Sequence, residues 1–527
     1  MKEDVVVVGS GASGVHFALT LLKKGRKVTM LDVGHRPPEP LNPDQTIPEL
    51  KSSLPDPAGY FLGDEFQSVV FPGAENYYAQ PPSKDYVFET AGAPQPKREG
   101  FEPLLSYAQG GLGQAWTGGS YPFNEEELAE FPFGFEEIRP FYDEVGRRIG
   151  VVGDPNDDLA AFTPTHDGLM PALDLDEHGK KLSAEYARQR RDLNEQLLWY
   201  LGRSRVAVLS RDFRGRKACS YLGRCMWGCP TGAFYTPSLT LAECQEFENF
   251  TYRPGLRVSH FEVDSSGAVS GVVAGDEVIE AEKVVLATGA LTTSHLYLES
   301  WRRAADEVIQ LPGLLDNRQL FIPFLNLRML GKRYDPKSYQ YHQLAFAFRD
   351  PDPRNYVHGQ ITSLTTAMVH PVIQNLPVDL RAGTKVFKNL HAALGLANAM
   401  LADYRRPDCY ATLDETGRLV LHYETAPNED FQIRDTLERM QAALGKIGCV
   451  APPNMTQIRP IGGSVHYAGT LPMIAESDDP HTTTTQCESR AFKNLFVVDG
   501  ATFPFLPAKQ YTFTLMANAV RVASEAF

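Results

Sequence analysis

The sequence predicts an α/β fold, α+β over the chain as a whole, and three observations carry that expectation. Val5 to Val8 is an unbroken β-branched run, suited to a parallel strand buried on both faces. A glycine turn and a helical apolar pattern follow it directly. From Phe321 to Leu376, apolar and aromatic runs alternate with turn residues such as Asp350-Pro351-Asp352-Pro353, the pattern of an antiparallel sheet.

The remaining elements follow in chain order. Val15 to Lys24 sets Val15, Ala18, Leu19 and Leu22 at helical spacing and stops at Gly25, a residue that suits a C-cap. Val28 to Leu31 is a second apolar strand, so the first 34 residues read β-α-β. His35 to Gly59 is rich in proline and reads as a long surface excursion. Val258 to Ala281 reads as short strands with turns at Ser265-Ser266-Gly267 and Gly275-Asp276. Val284 to Ala287 is a separate buried strand ending in Thr288-Gly289-Ala290. Phe431 to Ile447 reads as a helix closed by Gly448, and the chain finishes with a strand (Leu495 to Val498) and a helix (Thr514 to Ala526).

Composition narrows the function classes. The 527 residues are 43% hydrophobic and 22% charged, which is globular, and a chain this long divides into domains. A net charge of -14 argues against a nucleic-acid or anionic-membrane partner, since both require a basic patch. Met1-Lys2-Glu3-Asp4 runs straight into a strand, without the apolar stretch and cleavage site of a secretory signal. Charged residues interrupt every apolar run before the roughly 18 residues of a membrane span. The seven cysteines do not read as a disulfide framework. The expectation is a cytoplasmic protein.

Gly9, Gly11 and Gly14 form G-x-G-x-x-G between the first strand and its helix. Gly9 permits the tight turn, Gly11 lets the backbone approach a pyrophosphate, and Gly14 lets helix and strand pack closely. Ala12 and Ser13 open the helix, whose N-terminal N–H groups and dipole face the phosphates. Asp32 lies at the right distance to accept from ribose hydroxyls. The motif by itself does not distinguish FAD from NAD.

The C-terminal segment carries a resemblance. Gly463-Ser464-Val465-His466-Tyr467-Ala468-Gly469-Thr470 resembles the H-x-x-G-T signature of the glucose–methanol–choline (GMC) oxidoreductases. Asn494 to Pro504 and Leu506 to Arg521 are similar to the family's last strand, turn and helix, which places Asp499, Gly500, Tyr511 and Thr512 at the cofactor. Gly110-Gly111-Leu112-Gly113-Gln114-Ala115-Trp116-Thr117-Gly118 is similar to its second glycine-rich segment, which sets Gly110, Gly111, Gln114, Ala115, Trp116 and Thr117 along the flavin. Val258 falls where the family holds adenine, and Ala287, Thr288 and Gly289 match its later strand-turn.

The resemblance implies a Rossmann-like FAD-binding domain assembled from residues 1–150, 206–305 and 455–527. It also implies a helical and loop insertion at 151–205, and a substrate domain on an antiparallel sheet at 306–454. It further implies oxidation of a CH–OH group of a sugar, glycoside or related alcohol, with hydride transfer to flavin N5 and reoxidation by oxygen or another acceptor. His466 is the expected base, as imidazole titrates near pH 6.5 when unperturbed. The second catalytic position falls on Gln510, where the family has Asn or His, and Tyr511 stands where it commonly has proline. A carboxamide still hydrogen-bonds a substrate oxygen.

Some members attach FAD through a histidine two positions before a threonine. Ala115 stands there and has no nucleophile, so the FAD is expected to be non-covalent. Cys219, Cys225 and Cys229 resemble a family loop that holds an iron–sulfur cluster in certain members, but Ser220 replaces one ligand, and no metal is expected. Tyr341 and His342 are candidates for the substrate pocket; the alternative is ordinary packing of alternating strand residues. Three rival functions stay open at this point: a nicotinamide-dependent dehydrogenase, a lyase that keeps FAD without redox turnover, and a flavin-bearing sensor.

Overall fold

The computed structural model describes residues 2–39, 44–68, 81–90, 92–364, 373 and 377–527. The expected sheet residues 365–372 and 374–376 lie outside these. Strand β1 (Glu3–Val8) leads through Gly9 into helix α1 (Ala12–Lys23) and then strand β2 (Val28–Leu31). They sit in a parallel sheet ordered Phe250–Arg253, β2, β1, Glu277–Leu286, Leu495–Val497. Strands from both ends of the chain therefore pair side by side, as a doubly wound sheet built from separated stretches requires. Helix α1 and the C-terminal helix Thr512–Glu525 pack against one face of it, within a single core cluster.

Two expectations need correction. The stretch from Val258 to Ala287 does not hold a separate last strand. Glu277–Leu286 is one strand of 10 residues whose first half pairs antiparallel with Val269–Ala274 and whose second half enters the parallel sheet beside β1. Alternating exposure in its first half and full burial in its second explain why it reads as two. The proline-rich stretch from His35 to Gly59 is not all irregular: it holds the helix Ile47–Ser53 and the first half of Pro57–Leu62. Pro48 and Pro57 stand in the first turns, where a missing N–H costs nothing and the fixed φ favours the helix.

The second layer is an antiparallel sheet ordered Cys449–Val450, Gln319–Asn326, Leu394–Met400, Val357–Ser363, Leu344–Phe348, Trp199–Arg203. Its outer strand comes from within residues 151–205, so that insertion is joined to the sheet. A separate core cluster lies on this sheet, closed by Ile433, Met440, Ala443 and Leu444 of the helix Glu429–Lys446. Among the described residues no helix is long and apolar enough to cross a membrane.

Candidate active site

A cavity of about 820 Å3 is lined by both sheets, within the range that takes a cofactor and a small substrate. The parallel sheet contributes its strand ends. Gly9, Gly11, Ala12, Ser13, Asp32, Val258, Ala287, Thr288 and Gly289 all line it, as do Asp499, Gly500, Tyr511 and Thr512. Gly110, Gly111, Ala115, Trp116 and Thr117 form another part of the wall. The antiparallel sheet contributes Gln319, Phe321 and Pro323 from one strand and Leu394, Leu396 and Asn398 from its neighbour, spaced by two because alternate side chains share a face.

The glycines leave room for a dinucleotide. A Cβ on Gly289 would meet nothing within 4 Å, and one on Gly11 would meet only the Ala287 carbonyl oxygen at 3.8 Å. Gly11 caps the start of α1 and Gly289 the start of the helix Ala290–Ala305, where backbone N–H groups are free to meet an anion. Gly14 has the other role: its Cβ would lie 2.1 Å from the Gly9 carbonyl oxygen, so helix and turn touch there and Gly14 stays off the wall. Asp32 accepts from Ser10 Oγ and from Tyr252 Oη (3.1 Å), and burial raises it to about 6. Asp499 accepts from Gly289 N (3.0 Å) and Thr293 Oγ1 (2.5 Å), which clamps the strand-turn to the C-terminal segment. Gln114 does not line the cavity. It turns inward to Ser238, and its carbonyl accepts from Lys84 Nζ at 2.6 Å. These features fit the residues to a dinucleotide.

His466 lines the same cavity. Its Nδ1 lies 3.0 Å from Asn317 Oδ1. Both N–H bonds of the Asn317 amide are used, to the carbonyls of Leu401 (2.8 Å) and Pro507 (3.0 Å), so Oδ1 is the acceptor. Nδ1 therefore carries the proton, and Nε2 keeps its lone pair. The backbone is held as well: His466 N donates to Ser464 Oγ at 2.9 Å, and Ser464 donates to Asp316, which also accepts from Gly462 N at 2.8 Å. Burial lowers the His466 pKa to about 4, so the expectation of a base titrating near 6.5 is replaced by one that is neutral across the physiological range.

Gln510 also reaches the cavity. Its Oε1 accepts from Gln360 Nε2 on the strand Val357–Ser363, which leaves its own NH2 group as the donor available to a ligand. Next to it, Lys509 is fully buried and donates to Glu127 (2.6 Å) and to the carbonyls of Phe162 (2.7 Å) and Pro122 (3.0 Å). Tyr356 Oη donates to the other Glu127 oxygen at 2.8 Å. Tyr341 and His342 line the cavity on an irregular segment before the strand Leu344–Phe348, so strand alternation does not describe them. His342 Nδ1 lies 2.9 Å from Thr362 Oγ1, and burial lowers its pKa to about 4. Cys219, Cys225 and Cys229 are free and partly buried against a core containing Leu209 and Phe234. Among the described residues no group of three or more His, Cys, Asp or Glu is placed to hold a metal.

The motifs marked His466 and Gln510 but not what holds them. Asn317, Asp316 and Glu127 carry no local sequence signal, and Arg459, which also lines the cavity, belongs to no motif.

The structure thus joins a parallel sheet with a glycine-rich turn to an antiparallel sheet across one cavity, with an oriented histidine on its wall. Residues 412–519 match the family model for GMC oxidoreductase, the family that the sequence resembles. It is 25% identical, over 99% of its length and 90% of the relative's, to paromamine 6'-oxidase of Streptomyces fradiae. It is 23% identical to the fructose dehydrogenase large subunit of Gluconobacter japonicus, over 55% of this chain and 51% of that one. In architecture it is similar to pyridoxine 4-oxidase from Mesorbium loti, with a TM-score of 0.62 at 16% identity, covering 99% of both chains.

Proposed function

We propose that the protein binds FAD without a covalent link and oxidises a CH–OH group of a sugar, glycoside or related alcohol to a carbonyl. The observation that carries this reading is the tautomer of His466: an imidazole on the cavity wall with Nδ1 protonated and Nε2 open. Gly11, Ser13, Asp32 and Gly289 would hold the dinucleotide, and Ala115, Trp116 and Thr117 would lie along its ring. Bound FAD would supply the acceptor for the hydride, which carries both electrons of the oxidation. The protein's residues do the rest. His466 Nε2 takes the hydroxyl proton, Gln510 holds the substrate oxygen through its amide, and the carbon loses its hydride to become a carbonyl. The division into an FAD domain and a substrate domain at 306–454 belongs to the same proposal, as does a cytoplasmic location.

The test is an anaerobic screen of sugars and alcohols against the yellow holoprotein, following the flavin band near roughly 450 nm. Bleaching by a hydroxylated compound is expected, and His466→Ala should slow it roughly a hundredfold or more. A colourless protein restores the nicotinamide reading. A yellow protein that no alcohol bleaches restores the non-redox one, and wild-type rates in His466→Ala remove the base.

A further inference from the structure

Three carboxamides fall in one row across the antiparallel sheet. Gln457 stands opposite Phe321, Phe321 opposite Asn398, and Asn398 opposite Gln360 in the strand register. Residues of such a row share a face, because side chains alternate along each strand and stay in step between neighbours. Phe321, Asn398 and Gln457 line the cavity, and Gln360, fully buried at the end of the row, donates to Gln510. The row therefore runs from the cavity wall to the side chain that holds the substrate oxygen in the proposed reaction.

Asn398 differs from its neighbours in the row. Its Oδ1 is buried without a hydrogen-bond partner, and among the described residues its NH2 group has none either. Phe321 opposite it and Leu396 two positions before it on the same strand are apolar, so they cannot take those bonds. An amide left unpaired in a buried wall costs the fold stability, and a ligand hydroxyl, which both donates and accepts, would remove that cost. The Asn398 and Gln360 backbones are one strand spacing apart, about 5 Å. Hydroxyls on neighbouring carbons of one molecule can reach both the Asn398 amide and the Gln510 amide that Gln360 holds, whereas a simple alcohol has a single oxygen and reaches one.

We infer that Asn398 is a specificity-determining residue that binds a second hydroxyl of the substrate, close to the one that is oxidised. The substrate class is a polyol, a sugar or a vicinal diol, and an alcohol with one hydroxyl is selected against because it leaves the Asn398 amide unpaired. The inference rests on the proposed alcohol oxidation and deepens it.

Two sets of compounds test it on the FAD-loaded protein: D-glucose with its 2-, 3-, 4- and 6-deoxy forms, and 1,2-propanediol with 1-propanol and 2-propanol. Dissociation constants come from the flavin difference spectrum, and product analysis identifies the oxidised carbon. In at least one set the parent is expected to bind about tenfold or more tighter than a form lacking one hydroxyl other than the oxidised one. Asn398→Leu, close in volume but without hydrogen-bonding groups, should bring that ratio close to one, while Asn398→Asp, which keeps an acceptor, should retain part of it. A folding defect would weaken both members alike and leave the ratio as it was. Equal binding of parent and deoxy forms in both sets overturns the inference, as does failure of both D-glucose and 1,2-propanediol to bind, or a ratio that survives Asn398→Leu. A preparation without flavin, or one whose flavin no alcohol bleaches, would instead overturn the function on which the inference rests.

Discussion

At the scale of single residues, the proposed chemistry depends on which nitrogen of His466 carries a proton. Asn317 settles it, because both of its amide N–H bonds are committed to backbone carbonyls. Asn317→Ala should therefore slow flavin reduction about tenfold to a hundredfold by letting the ring adopt the wrong tautomer. The expected signature in stopped-flow measurements is a fall in limiting reduction rate with the flavin spectrum intact, and an unchanged rate would remove Asn317 from the site. The pH profile follows from burial. Desolvation lowers the imidazolium pKa to about 4, so the base is already free above that value. Flavin reduction should be flat from about pH 5 to 8 and fall only below, as the proton occupies Nε2. A rate that climbs through pH 6.5 would mean that bound substrate and cofactor restore an ordinary histidine. His466 was legible because it stands in a local motif. Asn317 was not, because it lies 149 positions away and only folding makes it a neighbour.

At the scale of elements, the buried pair Lys509–Glu127 fixes the segment that presents Gln510. Burial pushes the lysine pKa down and the carboxyl pKa up, and the mutual attraction at 2.6 Å opposes both shifts. All three lysine protons have acceptors, so the segment before the C-terminal helix is tied to Pro122, Glu127 and Phe162. Lys509→Met would leave a buried carboxylate without its partner and should destabilise the fold by about 3–5 kcal/mol. Adding Glu127→Gln should recover part of that loss, since the unpaired charge then disappears. Thermal or urea unfolding of the four members of this cycle decides the matter, and additive losses would show that the two side chains do not act as a pair. The elements themselves were mostly readable in the sequence. The β-branched run of β1, the glycine turn and the amphipathic Glu429–Lys446 each carry local periodicity. The strand Trp199–Arg203 was hidden because its place is set by pairing with Leu344–Phe348, a non-local contact that leaves no pattern of its own.

At the scale of the whole molecule, the cavity lies where two cores meet: one around the parallel sheet, the other on the antiparallel sheet. A ligand that binds across such a junction stabilises both sides, by an amount set by mass action. At a thousandfold excess over its dissociation constant, FAD should add about 4 kcal/mol to the folded state. On the proposed non-covalent mode, with Ala115 offering no nucleophile, acid precipitation should release FAD into the supernatant, and the stripped protein returned to neutral buffer should unfold several degrees lower. Adding FAD back should raise the midpoint in proportion to the logarithm of its concentration, which neither covalent attachment nor an FAD site remote from the cavity predicts together with recovered activity. Yellow colour remaining in the acid pellet would show a covalent bond through another residue. A midpoint indifferent to added FAD would show that the glycine-lined cavity takes a different ligand.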